Sequence, residues 1–159
     1  FTQFDRRHIP ELRDGALRAL HVDASGRLVA GGARGSLIRQ DGRGGWEALS
    51  PAPTMVTVIR SNPDGALWVG TETAGVIHQP ASGGSRALEP EADDPVGSNF
   101  DIAVDAKGRR WSAHAGGLRQ VDGAGLAKVA VGGLPDGPIT ALVTDGQRLI
   151  AGSARGVHV

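Results

Sequence analysis

Three observations in this sequence predict an all-β fold, a β-propeller of about four four-stranded blades. A turn followed by a short apolar strand recurs about every 40 residues. The runs between turn signals are too short for helices and show no helical period. Gly is abundant, at 25 residues, while aromatics make up only 4%, a composition that suits a turn-rich β protein. The unit is clearest at Asn62-Pro63-Asp64-Gly65-Ala66-Leu67-Trp68-Val69-Gly70-Thr71. Here Asp-Gly supplies a tight turn, because Gly accepts positive φ, and Leu-Trp-Val suits a packed, pleated surface.

The recurrence holds column by column. The turn column Asp23, Asn62, Asp105, Asp145 steps by 39, 43 and 40. The large apolar column Val29, Trp68, Trp111, Ile150 steps by 39, 43 and 39. An upstream column, Leu20, Ile59, Ile102, Leu142, and a downstream one, Gly35, Gly75, Gly117, Gly156, keep nearly the same phase. The fourth hairpin is one residue shorter between its Asp and its apolar residue, which a turn absorbs.

Each repeat reads as four strands. The first carries Leu17, Leu20 and Val22, then Val56 to Ile59, Phe100 to Val104, and Ile139 to Val143. The Asp/Asn column follows, where the side chain bonds the turn backbone. The second strand is Leu28 to Ala30, Leu67 to Val69, Arg110 to Ser112, and Leu149 to Ala151. The third is Ser36 to Arg39, Val76 to His78, Leu118 to Val121, and Val157 to Val159. The fourth is Trp46 to Leu49, Ser85 to Leu88, and Leu126 to Val129. Trp68 and Trp111 are expected between blades, and Trp46 on an outer strand.

One such sheet cannot stand alone. A buried Trp contributes about 3 kcal/mol, whereas ordering each residue costs about 1–2 kcal/mol. Radial stacking covers both faces of every sheet; a linear solenoid is the alternative, but solenoids of this period are mostly helical. The blades fall at approximately 16–54, 55–97 and 98–138, with 139–159 and 1–15 as complementary partial pieces. Those pieces close a four-bladed ring, form the cut edges of a larger ring of seven or eight blades, or meet a second copy edge to edge. Open strand edges demand one of these closures.

Lys and Arg (17) balance Asp and Glu (17), so the net charge is zero and no nucleic-acid surface is expected. There is no Cys, hence no disulfide framework and no thiolate chemistry. No apolar run is long enough to span a membrane, so no membrane contact is expected of this segment. The chain begins at Phe1 without a visible signal peptide and reads as an excised or processed piece.

The stretch from Asn62 to Thr71, followed by Gly75-Val76-Ile77-His78, resembles the two-component-regulator propeller repeat, with its D-G-x-L-W-[IV]-G-T core and Gly-led third strand. The resemblance covers nearly the whole chain and is closest in the second repeat. Val29 and Ile150 replace the Trp, and Arg110-Trp111-Ser112-Ala113-His114 departs from the core. It implies an extracytoplasmic or periplasmic sensor propeller, usually seven-bladed, that precedes a membrane span and an output domain. The repeat is also similar to that of streptogramin-lyase-type propellers, whose chemistry rests on a His and acidic residues on one face.

The turns between second and third strands hold the candidate site. In a closed ring they gather at one face, together with the loops between repeats. Arg34, Glu72, Thr73, His114 and Arg155 then form a polar ring for a small anionic or glycan ligand, with Arg offering fork-like donors. The plain alternative is a set of solvated loop tips. His114 stands where the repeat has Thr; as a general base it needs a proton donor or carboxylate beside it, and without one it is a partly exposed loop His. We expect no catalysis, and an enzyme of the lyase type or a protein-interaction scaffold is the alternative.

No metal or cofactor is expected. The acidic run Glu89-Pro90-Glu91-Ala92-Asp93-Asp94 lacks the pattern of a Ca²⁺ loop. His21, His78 and His158 lie on separate strands. Gly31-Gly32-Ala33-Arg34-Gly35 lacks the Lys-Ser/Thr and the helix of a phosphate loop. The expected partners are the ligand, the rest of a larger propeller, an output domain or a second copy.

Overall fold

The computed structural model describes residues 8–10, 12, 16–90, 97–122, 125–129, 132–134, 137–145 and 147–159. Four antiparallel sheets follow one another along the chain. Blade one is β1 (Leu17–Val22), β2 (Leu28–Gly32), β3 (Leu37–Gln40) and β4 (Trp46–Ala48). Blade two is β5 (Val56–Ser61), β6 (Leu67–Thr71), β7 (Val76–Gln79) and β8 (Arg86–Ala87). A two-residue strand, β9 (Glu89–Pro90), then crosses to the outer edge of blade three and pairs there in parallel. Blade three is β10 (Asn99–Val104), β11 (Arg110–His114), β12 (Gly117–Asp122) and β13 (Gly125–Lys128). Blade four is β14 (Ile139–Thr144), β15 (Leu149–Ser153) and β16 (Gly156–His158), three strands among the described residues.

Every first hairpin is built alike. The register of first strand against second slips once at the same place in each blade, at Leu17/Ala19, Val56/Val58, Asn99/Asp101 and Ile139/Ala141. Such a bulge tightens the strand twist. At the other end the Asp column closes the turn. Asp23 Oδ1 accepts the N–H groups of Ser25 (2.9 Å) and Arg27 (3.0 Å), and Asp105 Oδ1 those of Lys107 and Arg109 (both 2.9 Å). The Arg27 and Arg109 guanidinium groups return to the second carboxylate oxygen. The fourth turn is one residue shorter: Asp145 holds Arg148, three residues on, where Asp23 and Asp105 hold the residue four on. In blade two Asn62 takes this place, and its Oδ1 accepts the Trp68 Nε1–H at 3.2 Å.

These turns carry a pH dependence. Burial disfavours ionised Asp105, but the Trp111 Nε1–H, the Arg109 guanidinium and two backbone N–H groups outweigh it and hold the carboxyl down to about 2. The Arg148 and Gln147 backbone N–H groups and the Arg148 side chain do the same for Asp145, also to about 2. For Asp23, burial is again opposed and outweighed, by Ser25 and Arg27, so its pKa is lowered. A carboxyl depressed on folding adds stability above its unfolded pKa, and this is lost as pH falls through the folded value. Thermal stability should therefore drop between about pH 4 and pH 2. Asp105→Asn should flatten that slope in a pH series of melting curves; an unchanged slope would count against the assignment.

The blades pack face to face through matching columns. Ala19, Val29 and Leu37 of blade one meet Val56, Ile59, Leu67, Val69 and Ile77 of blade two. Val58, Trp68, Val76 and Leu88 of blade two meet Ile102, Val121 and Leu126 of blade three. Ala103, Trp111, Ala113 and Leu118 of blade three meet Ile139, Leu142 and Ala151 of blade four. Trp68 and Trp111 thus lie between blades, and Trp46 is on the outer strand of blade one. Each large apolar side chain buried this way is worth about 1.5–3 kcal/mol. Close approach needs small residues: a Cβ on Gly31 would strike Val56 of the next blade.

Two expectations are refined. The turn bond from Gly32 N–H to Ser36 O matches that from Thr71 N–H to Gly75 O, so Ser36 rather than Gly35 is the counterpart of Gly75. The inner strands β1, β5, β10 and β14 pack in succession, but β14 does not return onto β1 as the others meet their neighbours. Of the N-terminal piece, residues 1–7, 11 and 13–15 lie outside the described residues; Ile9 and Leu12 pack on blade one against Ala30, Ile38 and Trp46. No helix among the described residues is long and apolar enough to cross a membrane.

Candidate ligand-binding face

The turns between second and third strands share one edge of the sheets with the segments that enter each blade. Backbone bonds tie the two together. Ala33 N–H donates to Ala16 O (3.0 Å), Glu72 N–H to Met55 O (2.9 Å) and Ala115 N–H to Ser98 O (3.3 Å). Thr73 N–H adds a bond to Thr54 Oγ1 at 3.4 Å; in blade four Arg155 N–H bonds Ser153 Oγ within its own turn, at 3.1 Å. Arg34, Glu72 and Thr73 are exposed on the anchored turns of blades one and two, and Arg155 is exposed on the turn of blade four. The turn backbones are thus fixed while the side chains reach solvent.

His114 differs. It is the last residue of β11, is paired with Gly117, and is buried rather than a loop tip. Its Nε2 lies 2.6 Å from Ser112 Oγ, and Asn99 Nδ2 donates to that same hydroxyl and to Ala113 O (3.3 Å). Asn99 and Ser112 have no exposed surface. In blade two the position belongs to Thr71, whose Oγ1 donates to Gly75 O (2.9 Å) and accepts the Ala74 N–H (3.0 Å). The shorter turn of blade three removes that capping task. The larger imidazole turns inward, onto a polar patch where the preceding interface has Val56 and Val69. A general base must reach substrate, and His114 is only 5% exposed.

The inner strands form a second feature, which the sequence reading passed over. A groove of about 310 Å³ runs along β5, β10 and β14, lined by Arg60, Ser61, Ile102, Leu142 and Val143 among others. Arg60 Nη2 bonds Asp101 Oδ1 at 2.7 Å, and Asp101 Oδ2 accepts the Leu142 N–H at 2.9 Å, linking three blades. His21 Nε2 lies 2.9 Å from Ser61 Oγ. Burial lowers the His21 pKa, and nearby Arg60 lowers it further against a smaller pull from Asp23, which favours neutral imidazole. The available signal was polar residues set into otherwise apolar first strands, 41 apart at Arg60 and Asp101.

The predicted acidic run falls largely outside the described residues: Glu89 and Pro90 form β9, and 91–96 are not described. Among the described residues no group of three or more His, Asp or Glu side chains is placed to hold a metal ion.

This is the architecture of β-propeller blades, and comparison with known proteins places it among them. The chain is similar to the extracellular domain of BT3049 of B. thetaiotaomicron, described as a hybrid two component system (TM-score 0.77, 14% identity, 99% of this chain and 26% of that one). It is similar to the computationally designed Ika4 protein (0.70, 19%, 92% and 90%). It is also similar to a catalytically inactive His-to-Ala form of virginiamycin B lyase from Staphylococcus aureus, crystallised with quinupristin (0.67, 13%, 92% and 55%). The chain spans about a quarter of the length of the BT3049 domain and about half that of the lyase. No family model matches the sequence, and no curated protein does. At these identities the likeness establishes the fold.

Proposed function

We propose that this chain is part of an extracytoplasmic sensor propeller that binds a small molecule or glycan fragment at the face bearing the second-to-third-strand turns. The observation that carries this reading is the repeated backbone anchoring of those turns beneath exposed ionic side chains. Fixed loops with exposed polar side chains lower the ordering cost of binding. Arg34 and Arg155 supply planar donors for carboxylate or vicinal hydroxyl groups, Glu72 and Thr73 supply acceptors, and His114 supports the rim from below. The likeness to extracellular domains of two component systems favours the signalling role, with an output domain elsewhere in the protein.

The test is a calorimetric screen of glycan fragments and small organic acids. A ligand should emerge whose affinity falls at least tenfold, about 1.4 kcal/mol, in Arg34→Ala or Arg155→Ala. A blank screen, or a ligand indifferent to both substitutions, would remove this face from consideration. The lyase-type alternative rests on His114, and burial of that imidazole against Ser112 and Asn99 disfavours it.

A further inference from the structure

We propose that Phe100 is a stacking platform on the turn-bearing face. It selects ligands that present a flat cyclic group, polar at its edge and apolar on its face, such as a pyranose or an aromatic acid. The inference rests on the reading of that face as a binding surface.

The argument starts from the bulge in each inner strand. The register slips once per blade, and the residues left unpaired at the slips are Arg18, Thr57, Phe100 and Thr140. A bulge re-aims the side chain that it carries. Three of the four are polar. Thr57 Oγ1 donates to Asn99 O of blade three at 2.6 Å, and Thr140 Oγ1 to Gly152 O of its own blade at 3.3 Å. Phe100 has no hydroxyl for such a bond. It is 38% exposed and joins none of the apolar clusters between blades.

This exposure is not that of an outward blade face. Among the described residues the other exposed large apolar side chains lie on β1 or from β14 onward. Phe100 belongs to blade three, which is packed against blade two on one side and blade four on the other. A ligand stacked on it would remove apolar area from water that no neighbouring blade removes.

The bulge column belongs to the same face as the anchored turns. The carbonyl groups that anchor the turns of blades one, two and three are those of Ala16, Met55 and Ser98. Each lies two residues before the bulge residue of its blade. Asn99, beside Phe100, pairs with His114 at the entry to the blade-three turn. The turns carry Arg34, Glu72 and Thr73, and the bulge residues stand on the inner strands beside them.

The chemistry selects the ligand. The face of an aromatic side chain is electron-rich, so polarised C–H groups of a sugar, or the edge of another aromatic group, meet it favourably. Hydroxyl and carboxylate groups on the same ligand match the guanidinium donors and the Glu72 and Thr73 acceptors of the turns. An open-chain acid or polyol offers those polar groups without the flat face.

The test compares D-glucuronate, a pyranose carboxylate, with its open-chain analogue D-gluconate, and uses benzoate as the aromatic arm. Calorimetric titration is combined with fluorine NMR of the chain labelled with para-fluorophenylalanine, the Phe100 resonance being assigned by its loss in Phe100→Leu. Glucuronate or benzoate should move that resonance and bind about tenfold tighter than gluconate; whichever does so identifies the source of the cyclic group. Phe100→Ala should abolish the preference and Phe100→Trp should keep it, both with the parent circular dichroism spectrum. Gluconate binding as tightly as the cyclic probes, weakened by Arg34→Ala or Arg155→Ala but not by Phe100→Ala, would overturn the platform and leave the binding face standing. Cyclic probes that respond to Phe100→Ala but to neither Arg substitution would uphold the platform and remove the turns from the site. A Phe100 resonance unmoved by all the probes would overturn the proposal.

Discussion

Trp68→Ala is expected to remove about 3–5 kcal/mol of unfolding free energy, the largest loss of any single substitution in this chain. Trp68 is 4% exposed and stands at the centre of the interface between blades two and three, with Val58, Val76, Leu88, Ile102 and Leu126 around it. Its ring is stacked on His78, with centroids 4.2 Å apart, and the Arg110 guanidinium lies 4.6 Å over the ring. The indole is thus held between a side chain of its own blade and one of the next, and its N–H is satisfied by Asn62. Truncation leaves a cavity, an unpaired acceptor and a stranded cation together. Urea denaturation measures the change. Trp111→Ala should cost less, because its ring already borders a cavity of about 300 Å³ between blades three and four. Equal losses at the two positions would refute this account of the packing.

Gly70→Ala should cost about 1–3 kcal/mol although it adds one methyl group. A Cβ there would strike Val58 Cγ1 on the neighbouring strand and the Asn99 side chain arriving from blade three. Asn99 has little room to yield, since its amide is committed to Ser112 and Ala113 and its residue is fully buried. Moving it leaves buried polar groups unmatched, each at about 1–3 kcal/mol. The control is Gly83→Ala: nothing stands within 4 Å of a Cβ there, so its cost is confined to the strain of a positive φ. In a pair of denaturation curves, a Gly70→Ala midpoint no lower than that of the parent would contradict the interlocking of blades at this point.

Much of the architecture was legible because a propeller repeats its own solution. The Asp turns, the bulged first strands and the large apolar column obey local chemistry, so spacing alone located them. The shorter fourth turn was legible for the same reason, as a one-residue gap between Asp145 and Ile150. The site was less legible. Arg34, Glu72, Thr73 and Arg155 belong to turns whose position follows from the repeat, and all four are exposed there. His114 was read as another turn residue because it occupies the Thr position of the repeat. The neighbours that draw it inward, Ser112 on its own strand and Asn99 from the strand before, form a cluster only when β10 and β11 pair.

Residue order alone therefore determined the kind of sheet, the number of repeats and the residues facing between blades. These depend on interactions within a hairpin or on a period that each repeat must share to be covered. Tertiary packing decided the rest: that β14 does not return to β1, that His114 is buried, and that Arg60, Asp101 and the Leu142 backbone join three blades. Each of these depends on which side chain arrives from a neighbouring sheet some 40 residues away, and no local pattern encodes that arrival.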